Sequence, residues 1–364
     1  MNSCSPTNPS GFDIEPNAME ATEVPIRRTA LDLTLQPLRP LLDRPATTEL
    51  CLNRPFEAYV ETYAGWHREP LPWATYEWCR SVAKLVANAS RQRVDEHAPL
   101  LSASLPTGER IQFVLPPATS PGTVAITVRR PSSQVWALDD LDRRGVFRGT
   151  KCASPELDET ERELKALLRT QNIEAFLRLA MRARKNILVS GATGAGKTTV
   201  TKALILEIAH EERLITIEDA PELPLTRHPN HVQLFYSRGD QGTARVSPQQ
   251  LVQASLRMRP DRILLAELRG EEALDYLRQV NSGHPGSITS VHAASAALAF
   301  EAMALLVKQS PGGRELSRAD IKTLLAQTVD IVLQCDREPG RRFVSEVWYE
   351  PEAKRNALAT ASVA

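Results

Sequence analysis

Eight consecutive residues, Gly191, Ala192, Thr193, Gly194, Ala195, Gly196, Lys197 and Thr198, match the pattern Gly-x-x-x-x-Gly-Lys-Ser/Thr in full. The glycines let the backbone curl so that its N–H groups converge on an anion. Lys197 adds a compact positive charge, and the Thr198 hydroxyl can ligate a divalent cation. Thr199 continues into a helical stretch reaching about Ala209, whose positive N-terminal end faces the same anion. This chemistry is nucleoside triphosphate binding, with ATP and Mg²⁺ as the expected ligands.

Carboxylates and imidazoles stand at three further places. Arg262 to Glu267 reads as an apolar strand ending in an acid, 70 residues beyond Lys197. A carboxylate at that end of a parallel-sheet strand lies beside the ligand crevice and can orient a water for attack. Leu214 to Ile217 is a second such strand, followed by Glu218, Asp219 and Glu222. Three acids at one strand end repel each other unless a cation is near. Thr198, Glu218 and Glu222 are therefore the expected Mg²⁺ ligands. His284 and His292 flank the strand-like run Ile288–Val291. An imidazole there can touch the terminal phosphate or relay its presence, and His292 is the favoured one. Lys197, Glu267, Glu218 and His292 form the expected catalytic group.

Two kinds of domain must position these residues. From Asn186 the rhythm is strand, loop, helix, strand. Ile187–Val189 is a short apolar run of the kind a strand shows when buried on both faces. Alternation with helices predicts a doubly wound α/β domain over residues 157–350. Ahead of the first strand, a helix capped by Thr160 and another starting near Asn172 are expected. Residues 26–130 read differently. Leu50 and Leu52, then Ala58 and Val60, alternate with polar neighbours. Val82, Leu85, Val86 and Ala89 share a helix face. Three strand-like runs follow around Leu101, Ile111 and Val124. This half predicts a smaller α+β domain on an antiparallel sheet. Polar residues 131–156 read as a linker, 1–25 as a disordered lead-in and 351–364 as a tail.

Composition narrows the class. Lys plus Arg and Asp plus Glu are both 44 in 364 residues, so net charge supports no nucleic-acid wrapping. Five cysteines, at 4, 51, 79, 152 and 335, form no Cys-x-x-Cys pair. Reduced thiols in a cytosol are expected rather than a disulfide framework or zinc site. No apolar run approaches the roughly 18 residues of a membrane span, and the N-terminus lacks a secretory pattern. An ATP-gated assembly factor that barely hydrolyses is a rival reading, and Glu267 speaks against it.

Taken together, the four segments resemble the secretion-ATPase superfamily, whose members carry a Walker A loop, an aspartate box, a Walker B strand and a histidine box. Here these are Gly191–Thr198, Ile215–Glu222, Ile263–Glu267 and Gly283–Ala293. Thr48–Pro55, Leu105–Gln112, Asn230–Tyr236 and Ser345–Tyr349 are similar to the VirB11-type traffic ATPases of type IV secretion systems, and the likeness runs from about 30 to 350. Ala266 departs from the Gly that many relatives carry there. The tetracysteine zinc element of many type II secretion and pilus-assembly ATPases is absent. The resemblance implies a RecA-like C-terminal domain and Mg²⁺-dependent ATP hydrolysis that powers secretion-system assembly or substrate translocation. It implies a homohexameric ring, peripheral on the cytoplasmic face of the inner membrane. Other type IV secretion ATPases and inner-membrane channel components are the implied partners, with no sequence-specific nucleic-acid contact. It further implies that Arg110 and Arg129 reach the phosphates, with Arg269 a further candidate. The alternative within the class is an extension or retraction motor of the type IV pilus or type II secretion kind.

Overall fold

A computed structural model describes residues 28–131, 135–152, 154–239 and 242–361. The expected lead-in of residues 1–25 lies outside the described residues. The N-terminal half opens with α1 (Ala30–Leu35), which begins on a reciprocal cap. The Thr29 hydroxyl accepts from Asp32 N–H, and the Asp32 carboxylate accepts from Thr29 N–H. Then follow α2 (Arg39–Leu42), β1 (Glu49–Leu52), β2 (Glu57–Thr62), β3 (Gly65–Pro70), α3 (Tyr76–Ala89), β4 (Leu100–Ser104), β5 (Arg110–Val114) and β6 (Ala125–Arg129). The strands form an antiparallel sheet in the order β3-β2-β1-β6-β5-β4. One face packs Leu50, Leu52, Phe113, Ile126 and Val128 against Leu35, Val82 and Val86 of the helices. Strand β3 was not expected. It is exposed or half-exposed throughout, so no apolar alternation marks it.

The connecting stretch carries α4 (Leu138–Arg143), which buries none of its residues. The C-terminal half then runs α5 (Glu159–Arg169), α6 (Ile173–Arg182), β7 (Ile187–Gly191), α7 (Lys197–Ile205), β8 (Leu214–Glu218), β9 (His231–Phe235), α8 (Pro248–Ser255) and β10 (Arg262–Leu265). It continues with α9 (Glu272–Asn281), β11 (Ile288–Val291), α10 (Ala296–Gln309), α11 (Pro311–Arg314), α12 (Arg318–Thr328), β12 (Ile331–Glu338), β13 (Arg341–Trp348) and α13 (Pro351–Ala361). The sheet order is β13-β12-β7-β11-β10-β8-β9, with every neighbouring pair parallel except β12 with β13. This is the doubly wound, parallel-containing α/β domain the sequence predicts. Alternate strand residues feed opposite faces. Ile187 and Val189 join Leu214, Leu264 and Leu333 on one side. Leu188 joins Ile215, Ile263, Leu265 and Val332 on the other.

Two local expectations are corrected. Helix α5 is capped by Asp158, not Thr160, because Glu161 stands three residues on and closes the reciprocal box with Asp158. Residues 351–361, expected as a tail, form α13. Lys354 pairs with Asp330 at 2.7 Å and Arg355 with Glu161 at 2.6 Å, and these contacts dock it.

The antiparallel domain docks on the edge strand β9. Phe235 N–H donates to Ala118 O at 2.9 Å, and the Thr119 hydroxyl donates to Gln233 O at 3.0 Å. At the other end of β9, the fully buried Arg213 donates to Asn53 Oδ1 at 2.6 Å, and Asn53 donates to Asn230 Oδ1 at 3.0 Å. Val114, Ala118 and Ala125 continue into the apolar core under β8 and β9.

Candidate nucleotide site

The site is built where β7 ends. Gly191, Gly194 and Gly196 all have positive φ, and Gly196 caps α7 from the left-handed region. Gly191 is also required by its neighbour: a Cβ there would meet the Cys335 carbonyl of β12 at 2.4 Å. Lys197 curls back over the loop. Its ammonium donates to Gly191 O at 2.8 Å and Ala192 O at 3.3 Å, and it lies 3.2 Å from His292 Nδ1. Burial pushes its pKa down, with Glu267 opposing.

Glu267 follows β10 and His292 follows β11, adjacent parallel strands that deliver both side chains to the loop. His292 Nε2 lies 2.8 Å from Glu267 Oε1. The 2.8 Å approach is an ion-pair contact and not an aligned hydrogen bond, since the buried Glu267 Oε1 has no hydrogen-bond partner among the described residues. Burial raises the Glu267 pKa, and the His292 and Lys197 charges oppose the rise. Arg269 pairs with the outer oxygen of the same carboxylate. Lys197, His292 and Glu267 thus form a continuous line of contacts.

On the other flank, Thr198 Oγ1 and Glu222 Oε2 are 3.4 Å apart, longer than a good hydroxyl hydrogen bond. Glu218 is placed differently from expectation. Its side chain is fully buried and saturated by protein donors. The Thr216 hydroxyl donates to it at 2.5 Å, and the N–H groups of Glu222 and Leu223 donate at 2.8 Å each. Burial raises its pKa while those bonds oppose. Both Glu218 oxygens are thus taken up by protein donors, Gln233 Nε2 included at 3.3 Å. Glu218 fixes the turn that presents Glu222.

Arg110 and Arg129 are also placed elsewhere. They line a cleft of about 870 Å³ with Glu49, Arg184, Asp261 and His284. Arg184, Asp261 and His284 precede β7, β10 and β11, so this cleft lies at the N-terminal edge of the parallel sheet. The phosphate loop leaves the opposite edge, about 16 Å away along a five-residue strand. The chain's own Arg110 and Arg129, and His284 with them, are therefore not brought to its phosphate loop. The reason is the docking of the first domain on β9.

The profile of the family described as Type II/IV secretion system protein matches residues 35–358. The chain belongs to the Type II/IV secretion system protein family. It falls in the VirB11 branch of that family of ATPases. It is 43% identical over 333 residues to the type IV secretion system protein VirB11 of Bartonella quintana, covering 88% of this chain and 93% of that one. It is 44% identical over 339 residues to VirB11 of Brucella suis, covering 92% and 94%. The crystal structure of the Brucella suis VirB11 ATPase in complex with sulphate superposes with a TM-score of 0.85 over 90% of this chain and all of that one.

Within this secretion ATPase, two charged residues at the site carry no sequence signal. Arg238 pairs with Asp219 at the end of β8. Arg342 Nε donates to Gly194 O at 3.0 Å from the β12–β13 hairpin. Neither stands in a recognisable motif. Only strand pairing brings a residue 148 positions away onto the phosphate loop.

Proposed function

We propose that this chain hydrolyses ATP with Mg²⁺ and that the cycle drives a type IV secretion system. The observation that carries the reading is the Lys197–His292–Glu267 line ending at the phosphate loop. The curated relatives, named as type IV secretion proteins and covered almost end to end, support the secretory role. Phosphoryl transfer needs positioning and charge stabilisation more than covalent chemistry. Loop N–H groups and Lys197 hold the phosphates. Glu267 orients the water and accepts its proton as the water oxygen bonds to the γ-phosphorus and the bond to the β–γ bridging oxygen breaks. His292 fixes Glu267 and touches Lys197, so one ring senses both ends of the reacting group.

Thr198 and Glu222 fit a magnesium ion, which binds through few protein oxygens and takes the rest of its shell from phosphate and water. The ion would neutralise charge developing on the β- and γ-phosphates. Among the described residues no cluster of three or more His, Cys, Asp or Glu forms a closed metal cage, as befits an ion carried in with the nucleotide.

The ring is part of the proposal. Arg110 and Arg129 lie away from their own loop, so they reach phosphates only from a neighbouring subunit. Among the described residues, no helix is long and apolar enough to cross a membrane. Attachment at the cytoplasmic face of the inner membrane would then be peripheral, through channel components. The deciding experiment is phosphate release by purified chain with MgATP, alongside its Lys197→Ala variant. Turnover by the wild type that vanishes in the variant supports the reading, and equal rates refute it. Mixing Arg110→Ala/Arg129→Ala chains with Lys197→Ala chains tests the ring, since shared sites regain activity that neither variant has alone.

A further inference from the structure

Arg337 and Arg342 are direct cross-strand partners in the β12–β13 hairpin. Like charges opposite one another on antiparallel strands destabilise the pair. Both side chains are exposed, and among the described residues neither has an acidic partner within ion-pair distance. Both nevertheless point to the same place. Arg342 Nε donates to Gly194 O at 3.0 Å. A Cβ on Gly194 would stand 3.1 Å from Arg337 Nη1, and one on Gly196 would stand 3.4 Å from Arg342 Cδ. Two uncompensated guanidinium groups thus sit against the tip of the phosphate loop.

The sheet order says which part of a nucleotide they address. β7 carries the loop, with β11 and β10 on one side bearing His292 and Glu267, and β12 on the other. With the γ-phosphate turned toward Glu267, the α-phosphate end trails toward β12. A guanidinium presents several N–H donors in a planar fork suited to phosphate oxygens. We propose that Arg337 and Arg342 form a second, cationic wall of the nucleotide site that grips the α/β-phosphate end of ATP and ADP. An anion between the two charges also relieves their repulsion. This inference rests on the ATPase reading of the same site.

The test is titration of the full-length chain with ADP and with ATP in the presence of Mg²⁺, for wild type, Arg337→Ala, Arg342→Ala and Arg342→Lys. Arg341→Ala is the in-hairpin control, since Arg341 turns to the Phe343 ring instead. Each alanine variant should lose about ten-fold or more in affinity for both nucleotides. KM should rise with kcat held at saturation, and the thermal midpoint without nucleotide should not fall, since either substitution relieves the cross-strand repulsion. Arg342→Lys should recover part of the loss, and Arg341→Ala should bind as wild type. Unchanged affinity in the alanine variants, weakening of ATP but not ADP, or a fall in kcat at constant KM would each overturn the proposal. A wild-type chain that binds no nucleotide would instead remove the ATPase reading itself.

Discussion

The Glu267 carboxylate and the His292 imidazole are in direct contact, Oε1 to Nε2 at 2.8 Å, although 25 residues separate them in the chain. Their strands are neighbours in the sheet, so both side chains leave the same edge together. This contact ties the acid proposed to orient the attacking water to a residue that also reaches the phosphate-loop lysine.

Replacing Glu267 with Gln should lower kcat by about 10² to 10⁴ while nucleotide still binds, since the amide cannot accept a proton. Single-turnover phosphate release against ADP affinity separates the two effects. Binding lost together with turnover would contradict the assignment.

The pH profile follows from burial. Burial raises the folded pKa of Glu267, and the proposed base is active as the carboxylate. Activity should therefore fall as pH drops through that raised value, with the acidic limb at higher pH than for an ordinary glutamate. The His292 charge opposes the rise, so His292→Ala should move the limb further up. Rates measured from pH 5 to 9 check both directions.

Glu218 predicts a stability effect rather than a chemical one. Glu218→Ala strands two backbone N–H groups and a hydroxyl in a buried site. The expected loss is about 2–4 kcal/mol, from a penalty of about 1–3 kcal/mol per unsatisfied group with partial relaxation. Denaturant melts give the stability. Weaker Mg²⁺-dependent binding should accompany it, because the turn carrying Glu222 loses its anchor.

Glu49, buried in the interdomain cleft beside Arg129, has its pKa pushed up to about 7 by desolvation, against the attraction of Arg129. The sign is that of a raised carboxylate. Its contribution to stability is fully present below the unfolded value near 4.5 and is lost as pH rises through 7. Glu49→Gln should flatten the pH dependence of stability over that window. At pH 8 it should gain up to about 3 kcal/mol relative to wild type. Thermal melts at pH 4.5 and pH 8 measure the difference.

Local patterns alone made much of this protein legible. The glycine spacing of 191–196, Lys197 and Thr198, and the apolar strands ending near Glu218, Glu267 and His292 are short-range features. Backbone curvature and strand burial act over a few residues, so the α/β domain and its phosphate loop could be read from sequence. Tertiary structure decided the rest. Glu218 and Glu222 look equivalent along the chain, and only the fold shows that one is saturated by backbone donors while the other faces Thr198. The family resemblance implies phosphate contacts for Arg110 and Arg129, but docking of their domain on β9 sends them to the opposite edge of the sheet from their own loop. Arg337 and Arg342 carry no motif and reach the loop only because β12 pairs with β7. The two arginine outcomes depend on contacts between segments more than a hundred residues apart, and the Glu218 outcome on which way a turn closes, neither of which local periodicity encodes.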